Sequence, residues 1–469
     1  MANRTGRPGM ENIMTTATGT PTSVPTSVPA TPTGPVGRIT AASLAIGAVG
    51  AAALTFVLLP NASEARLVGG GLVAFAAGWA MLAWLTTRRT TCPQRWAYVP
   101  ATVMAASGVT LLVVNPGEPA MTRLAWAWAP ALVILAVWTE RCTRRNVPRR
   151  SRLLIYPVTL VMLLAGLGGL CQATTKAPDV TAGAMPGRLV DVGGYRLHLA
   201  CTGTGAPTVV LLNGLGETSP LWARINPAIA VTTRVCAYDR AGQGWSEDSS
   251  KPADATNAAT DLHRLLAAAG ESGPFVLAGH SSGGVHALTY THLYPHDVAG
   301  VVLLDSASPH QMDLVTPFNG EYQLMRRVLA PAPTLFRFGA GHLIGALSTP
   351  VLPGAAGEQV SAFANSPRGM ANMRAEQATL PDTFRQAQAL TTLGATPLVV
   401  LTAKDNVDHK PGWGTAQGQL AALSRNTRHT VADLDHVAFL VDAAGSALSI
   451  TAITDVVTAV RTHTPVRTP

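Results

Sequence analysis

Phe275-Val276-Leu277-Ala278-Gly279-His280-Ser281-Ser282-Gly283-Gly284 is the stretch whose reading decides the fold. An apolar run of β-forming residues breaks into Gly-x-Ser-x-Gly and then into a helix-compatible segment. A serine at such a turn sits in strained backbone, and only small residues two before and two after it let strand and helix pass closely. Gly279 and Gly283 fill those places. Ser281 is therefore the candidate nucleophile. The same turn aims a helix N-terminus at the reacting centre, so the Ser282 amide is a candidate oxyanion donor.

Taken alone the pattern is weak in a chain with 44 glycines, and its neighbourhood supplies the specificity. Upstream, Thr208-Val209-Val210-Leu211-Leu212 runs into Asn213-Gly214-Leu215-Gly216, and Arg234-Val235-Cys236-Ala237-Tyr238 runs into Asp239-Arg240-Ala241-Gly242-Gln243-Gly244-Trp245-Ser246. With these three motifs in this order, the chain resembles the α/β-hydrolase family from about Arg188 to its end. The resemblance implies a mainly parallel sheet with helices on both faces. Strand-like runs at Val301-Val302-Leu303-Leu304-Asp305 and Leu398-Val399-Val400-Leu401-Thr402 fit that rhythm, whereas residues 306–395 do not. That interval is expected to be a cap, whose apolar residues favour a substrate with an acyl, alkyl or aromatic part.

In this family the chain order is serine, acid, histidine. Asp405, just past the strand ending at Thr402, falls where the resemblance places the acid, with Asp305 and Asp408 as alternatives. His436 stands in a segment matching the family's histidine loop, and His429, His310 and His342 are less well placed. His280, inside the elbow, reads as a packing or hydrogen-bonding residue. The second oxyanion donor is expected at the Leu215 amide. There the family usually has His-Gly, and Asn213-Gly214 is a departure. Cys201 and Cys236 lie on strands that neighbour each other in the family's sheet order, so the resemblance implies a possible disulfide.

Composition shows that the chain is two things joined. Hydrophobic residues make up 47% and charged residues only 13%, too apolar for an ordinary soluble protein. Five charge-free stretches precede Lys176, and four are long enough for the ~20 residues that cross a bilayer as helix. Spans are expected at about 39–60, 67–87, 96–115, 123–139 and 153–173. The fourth is short and depends on Arg123 snorkelling. Residues 1–37 are a Pro/Thr/Ser-rich tract that cannot bury a core and are expected to be a disordered tail.

Arginine sets orientation. With the N-terminus cytoplasmic, Arg88, Arg89, Arg95 and the six arginines from Arg141 to Arg152 all fall on the cytoplasmic side, and the outer loops keep only Arg66 and Arg123. Five spans then put residues 176–469 outside. The net charge of +8 is no nucleic-acid footprint, because the excess lies in the first 175 residues, with 14 Arg against 4 Glu. The expectation is a multi-pass cell-membrane protein whose serine hydrolase domain cleaves a carboxylic ester or lipid-type acyl bond. It needs no metal or organic cofactor. Amide, lactone, thioester or perhydrolase chemistry, or a non-catalytic ligand-binding receptor, are the alternatives.

Overall fold

The structure, a computed structural model, describes residues 36–60, 62–174 and 185–466. The expected N-terminal tail lies outside the described residues except for Val36 and Gly37, which already belong to the first helix.

Among the described residues eight strands form one sheet: β1 (Arg188–Asp191), β2 (Arg196–Thr202), β3 (Val209–Leu212), β4 (Val235–Tyr238), β5 (Phe275–His280), β6 (Val298–Leu304), β7 (Leu398–Ala403) and β8 (Thr427–Ala432). Their spatial order is β1-β2-β4-β3-β5-β6-β7-β8. The first two strands are antiparallel to their neighbours, and every pair from β4 to β8 is parallel. Strands β3, β4, β5 and β7 are buried at every residue, which is why they read as unbroken apolar runs and not as alternating ones. The two-residue period nevertheless divides them. Val210, Leu212, Leu277, Leu303 and Val400 enter one core with the helix Ala255–Ala269. Val209, Leu211, Val276, Val302 and Leu401 enter another with the helix Ala443–Thr462.

Among the described residues five helices precede the sheet: α1 (Val36–Ala53, continued by a π turn Leu54–Leu58), α2 (Glu64–Arg89), α3 (Tyr98–Val114, led in by a 3-10 turn Arg95–Ala97), α4 (Glu118–Asn146) and α5 (Arg149–Thr174). Each is long and apolar enough to cross a membrane, with mean hydropathies from 1.6 to 2.1. The fourth stretch looked short because its charge-free centre is short. As helix it runs through Arg123 and Glu140 for 29 residues. The helices approach closely at small residues: a Cβ on Gly69 would lie 2.8 Å from the Gly108 carbonyl oxygen, and one on Gly108 would lie 2.7 Å from that of Gly69. A girdle of apolar side chains, including Val113, Ile134, Leu153 and Val161, faces outward, each more than 60% exposed.

A sixth helix, Ala443–Thr462, has the same length and apolarity, with mean hydropathy 1.5. Its Ile453, Val456 and Val457 are buried beneath the sheet, so its apolarity serves the globular core.

The cap consists of short helices between β6 and β7, ending in the long helix Pro367–Ala387. It packs onto the ends of the bundle that lack the arginine clusters. The Arg337 guanidinium, 3% exposed, lies 2.9 Å from Glu64 and 3.3 Å from Glu118, and Thr334 donates to Glu64 at 2.9 Å. Arg327 donates to the Phe56 carbonyl at 3.2 Å.

Candidate active site

Ser281 joins β5 to the helix Ser282–Leu293 with φ 54° and ψ −126°, a conformation that costs a non-glycine residue on the order of 1–3 kcal/mol. The neighbouring glycines make the turn possible. A Cβ on Gly279 would lie 2.5 Å from the Gly283 carbonyl, and one on Gly283 would lie 2.2 Å from the Leu212 oxygen. The Ser281 amide donates to Leu304 at 3.2 Å, and its carbonyl accepts from Ala307 at 3.0 Å, so the end of β6 pins the elbow.

Asp305 follows β6 directly, with φ 39° and no exposure. Its Oδ1 accepts from the Ala403 amide at 2.9 Å and Trp413 Nε1 at 3.0 Å, and its Oδ2 accepts from Asn406 Nδ2 at 2.5 Å. The fourth partner is His436 Nδ1, 2.6 Å from Oδ2. Four donors satisfy a carboxylate that burial would otherwise penalise. His436 itself is half-buried, its ring centroid 4.6 Å from that of His280.

Asp405, the acid expected from the sequence, is not brought to His436. It is 53% exposed and lies 3.0 Å from His409 Nδ1, one turn along the helix Lys404–His409. Successive helical residues point about 100° apart. Asn406, 4% exposed, takes the inward position, and Asp405 faces solvent. Asp408, the other alternative, pairs with Lys404 on the same exposed face.

The loop after β3 carries Leu215, whose amide has no protein acceptor among the described residues. Its carbonyls are held from below: Arg240 donates to Asn213 O at 2.5 Å and to Gly214 O at 2.9 Å. Glu376, from the long cap helix, binds Arg240 at 2.8 Å, Gln243 at 3.0 Å and the Gly216 amide at 2.9 Å. Asn213, where the family usually has histidine, is 1% exposed. It donates to Tyr238 O at 3.0 Å and accepts from Trp222 Nε1 at 2.9 Å, closing the turn from inside. The Ser282 amide, first of its helix, has no carbonyl a turn behind it within the helix.

His280 is fully buried between Glu217 Oε1, 2.6 Å from its Nδ1, and the His436 carbonyl, 2.9 Å from its Nε2. Burial alone pushes His280 down, but the Glu217 charge and hydrogen bond outweigh it and hold its pKa above the usual range. Burial likewise pushes Glu217 up, and the His280 charge and hydrogen bond turn the net shift downward. As an imidazolium, His280 has a donor for each partner and ties the histidine loop to the loop after β3.

Glu217, Glu376, Asn406 and Trp413 were not singled out by sequence, because none lies in a recognisable pattern. Cys201 and Cys236 stand directly opposite each other on β2 and β4 and are joined by a disulfide closing 35 residues. Above the site, Leu215, Val285, Phe318, Tyr322, Leu380 and Phe384 form an apolar cluster between elbow helix and cap. A cavity of about 550 Å³ beside it is bounded by Arg240, Arg368 and Glu376, but Ser281 is not in its wall.

The parallel sheet, the strained serine elbow and the buried carboxylate at a histidine define a hydrolase-type fold. The chain belongs to the alpha/beta hydrolase fold family, whose model matches residues 207–443. It is 32% identical over 145 residues to the probable transporter efuK of Hormonema carpetanum, a match covering 29% of this chain and 21% of that protein. It is 33% identical over 102 residues to the putative carbamate hydrolase RutD of Cronobacter turicensis, covering 22% and 38%. The chain thus spans well under half the length of these curated relatives. Among solved structures, a putative lipase from Acinetobacter baumannii AYE is 21% identical with a TM-score of 0.47, covering 59% of this chain and 92% of that one.

Proposed function

We propose that this chain is a membrane-anchored serine hydrolase that cleaves a carboxylic ester or lipid-type acyl bond. The observation that carries the reading is the 2.6 Å contact between buried Asp305 and His436 Nδ1 in a chain whose Ser281 occupies a strained elbow. With Nδ1–H donating to Asp305, Nε2 is free to take the Ser281 proton as Oγ attacks the acyl carbonyl. The tetrahedral oxyanion accepts from the amides of Leu215 and Ser282. Its collapse expels the alcohol, which takes the proton back from His436, and water repeats the sequence to release the acid. The apolar cluster between Phe318, Tyr322 and Phe384 supports a substrate with a hydrocarbon acyl part.

The hydrolase region is proposed to face out of the cytoplasm. The arginine-rich helix ends, Arg88 to Arg95 and Arg141 to Arg152, lie at the end of the bundle away from the cap, as a positive-inside distribution requires. A disulfide between Cys201 and Cys236 persists in an oxidising compartment. The direct test is hydrolysis of p-nitrophenyl butyrate by the full chain and by Ser281→Ala. Loss of several orders of magnitude is expected in the variant. Unchanged turnover contradicts the reading.

A further inference from the structure

Between the five bundle helices lies a cavity of about 450 Å³, walled by Ala51, Leu67, Gly71, Met104 and Leu135 and roofed by Phe338 of the cap. Among the described residues no charged side chain lines it. From Glu64 at the cap end of α2 to Phe75, the deepest α2 residue in its wall, the helix rises about 16 Å. That is roughly half of the ~30 Å hydrocarbon core of a bilayer, the depth of one leaflet. Its volume falls within the 300–1,000 Å³ or so of small-molecule sites.

The mouth has a different chemistry. Arg327 and Arg374 of the cap donate to the carbonyls of Phe56, next to the cavity-lining Thr55, and of Ala62 before α2, placing two cationic side chains at the cap end of the bundle near the cavity. The outward face of the cap carries Leu324, Val328, Leu343 and Leu347, between 56% and 80% exposed beside the bundle, a surface suited to resting in the headgroup region. The helix that supplies Arg374 also supplies Met373, packed against Gly216, and Glu376, bonded to the Gly216 amide. One cap helix therefore touches both the α1–α2 connection and the Leu215 loop.

We infer that the bundle cavity is a binding site for the hydrocarbon chain of an anionic bilayer amphiphile drawn from the leaflet on the cap side. The bundle then selects and presents lipid-type substrate in addition to anchoring. This rests on the membrane hydrolase reading and deepens it by naming the substrate class and its route of entry.

The test uses the full chain in phosphatidylglycerol vesicles doped with a phosphatidylglycerol whose acyl chain carries a mid-chain diazirine. After photolysis, adducts are expected on cavity-facing residues of α2 and α4, saturating with probe and competed by unlabelled lipid. A Cβ on Gly71 meets only Ala51 Cβ, at 4.0 Å, so Gly71→Phe projects into free space and is expected to reduce those adducts at least tenfold. Its melting temperature shows whether it is folded, and competition on the unaltered chain needs no variant. Adducts confined to outward residues such as Val113 and Ile134, without saturation, overturn the inference, as does an unchanged cavity yield in folded Gly71→Phe. Turnover of p-nitrophenyl acetate by the unaltered chain separates the two readings. Cavity labelling without turnover retains the lipid site and removes the hydrolase, and turnover without cavity labelling does the reverse.

Discussion

Asp305 and Asp405 differ in what surrounds them. Asp305 is enclosed by four donors including His436, whereas Asp405 shares solvent with His409. Asp305→Asn is therefore expected to lower kcat for a short ester by about 10³-fold or more, because the imidazole loses the acceptor that fixes its tautomer. Asp405→Asn should stay within about twofold, and steady-state kinetics of the two variants decide the assignment. Ser281 and His436 were legible because local patterns place them. Which carboxylate meets His436 was not, since that depends on how a strand end and a one-turn helix rotate, and the carboxylates that follow β6 and β7 look alike in sequence. The Glu217–His280 pair sets a second expectation. Its stabilisation is complete between the ordinary carboxylate and imidazole values, about pH 4.3 to 6.5. It is lost as pH falls through the lowered pKa of Glu217 or rises through the raised pKa of His280. The melting-temperature difference between the unaltered chain and Glu217→Gln should peak in that window and shrink on both sides. A difference independent of pH contradicts the pair.

At the scale of elements, the long cap helix holds the loop that carries Leu215. Glu376→Gln removes the charge that Arg240 meets at 2.8 Å and weakens the acceptor for Gly216. Looser positioning of Leu215, the proposed oxyanion donor, predicts a fall in kcat of about 10- to 100-fold with a smaller change in KM. A change in KM alone would assign Glu376 to substrate binding instead. The strands from β3 to β7 were legible as apolar runs bounded by turn residues. The partners of the cap were not, because Glu376 and Arg240 are 136 residues apart and meet only through tertiary packing. The disulfide joins β2 to β4 across a loop of 35 residues, and its removal by Cys201→Ser with Cys236→Ser should cost about 2–4 kcal/mol in denaturant unfolding. Equal midpoints with and without reductant in the unaltered chain contradict that expectation.

The whole molecule joins an apolar helical bundle, its charges gathered at the helix ends, to a hydrolase-type sheet, with the cap between them. Hydropathy found the five bundle helices, but by that measure alone the helix Ala443–Thr462 would make a sixth and reverse the side on which the chain ends. Only its burial against Val302 and Leu401 shows that it belongs to the core. An activated Ser281 on the outer side of a membrane should react with a reagent that cannot cross it. Intact cells expressing the full chain should be treated with a membrane-impermeant fluorophosphonate and the adduct located by peptide mass spectrometry. Phosphonylation of Ser281 is expected in intact cells, equal in extent after lysis and absent from Ser281→Ala. Labelling that begins only after lysis contradicts the orientation, and an unmodified Ser281 in both preparations contradicts its activation.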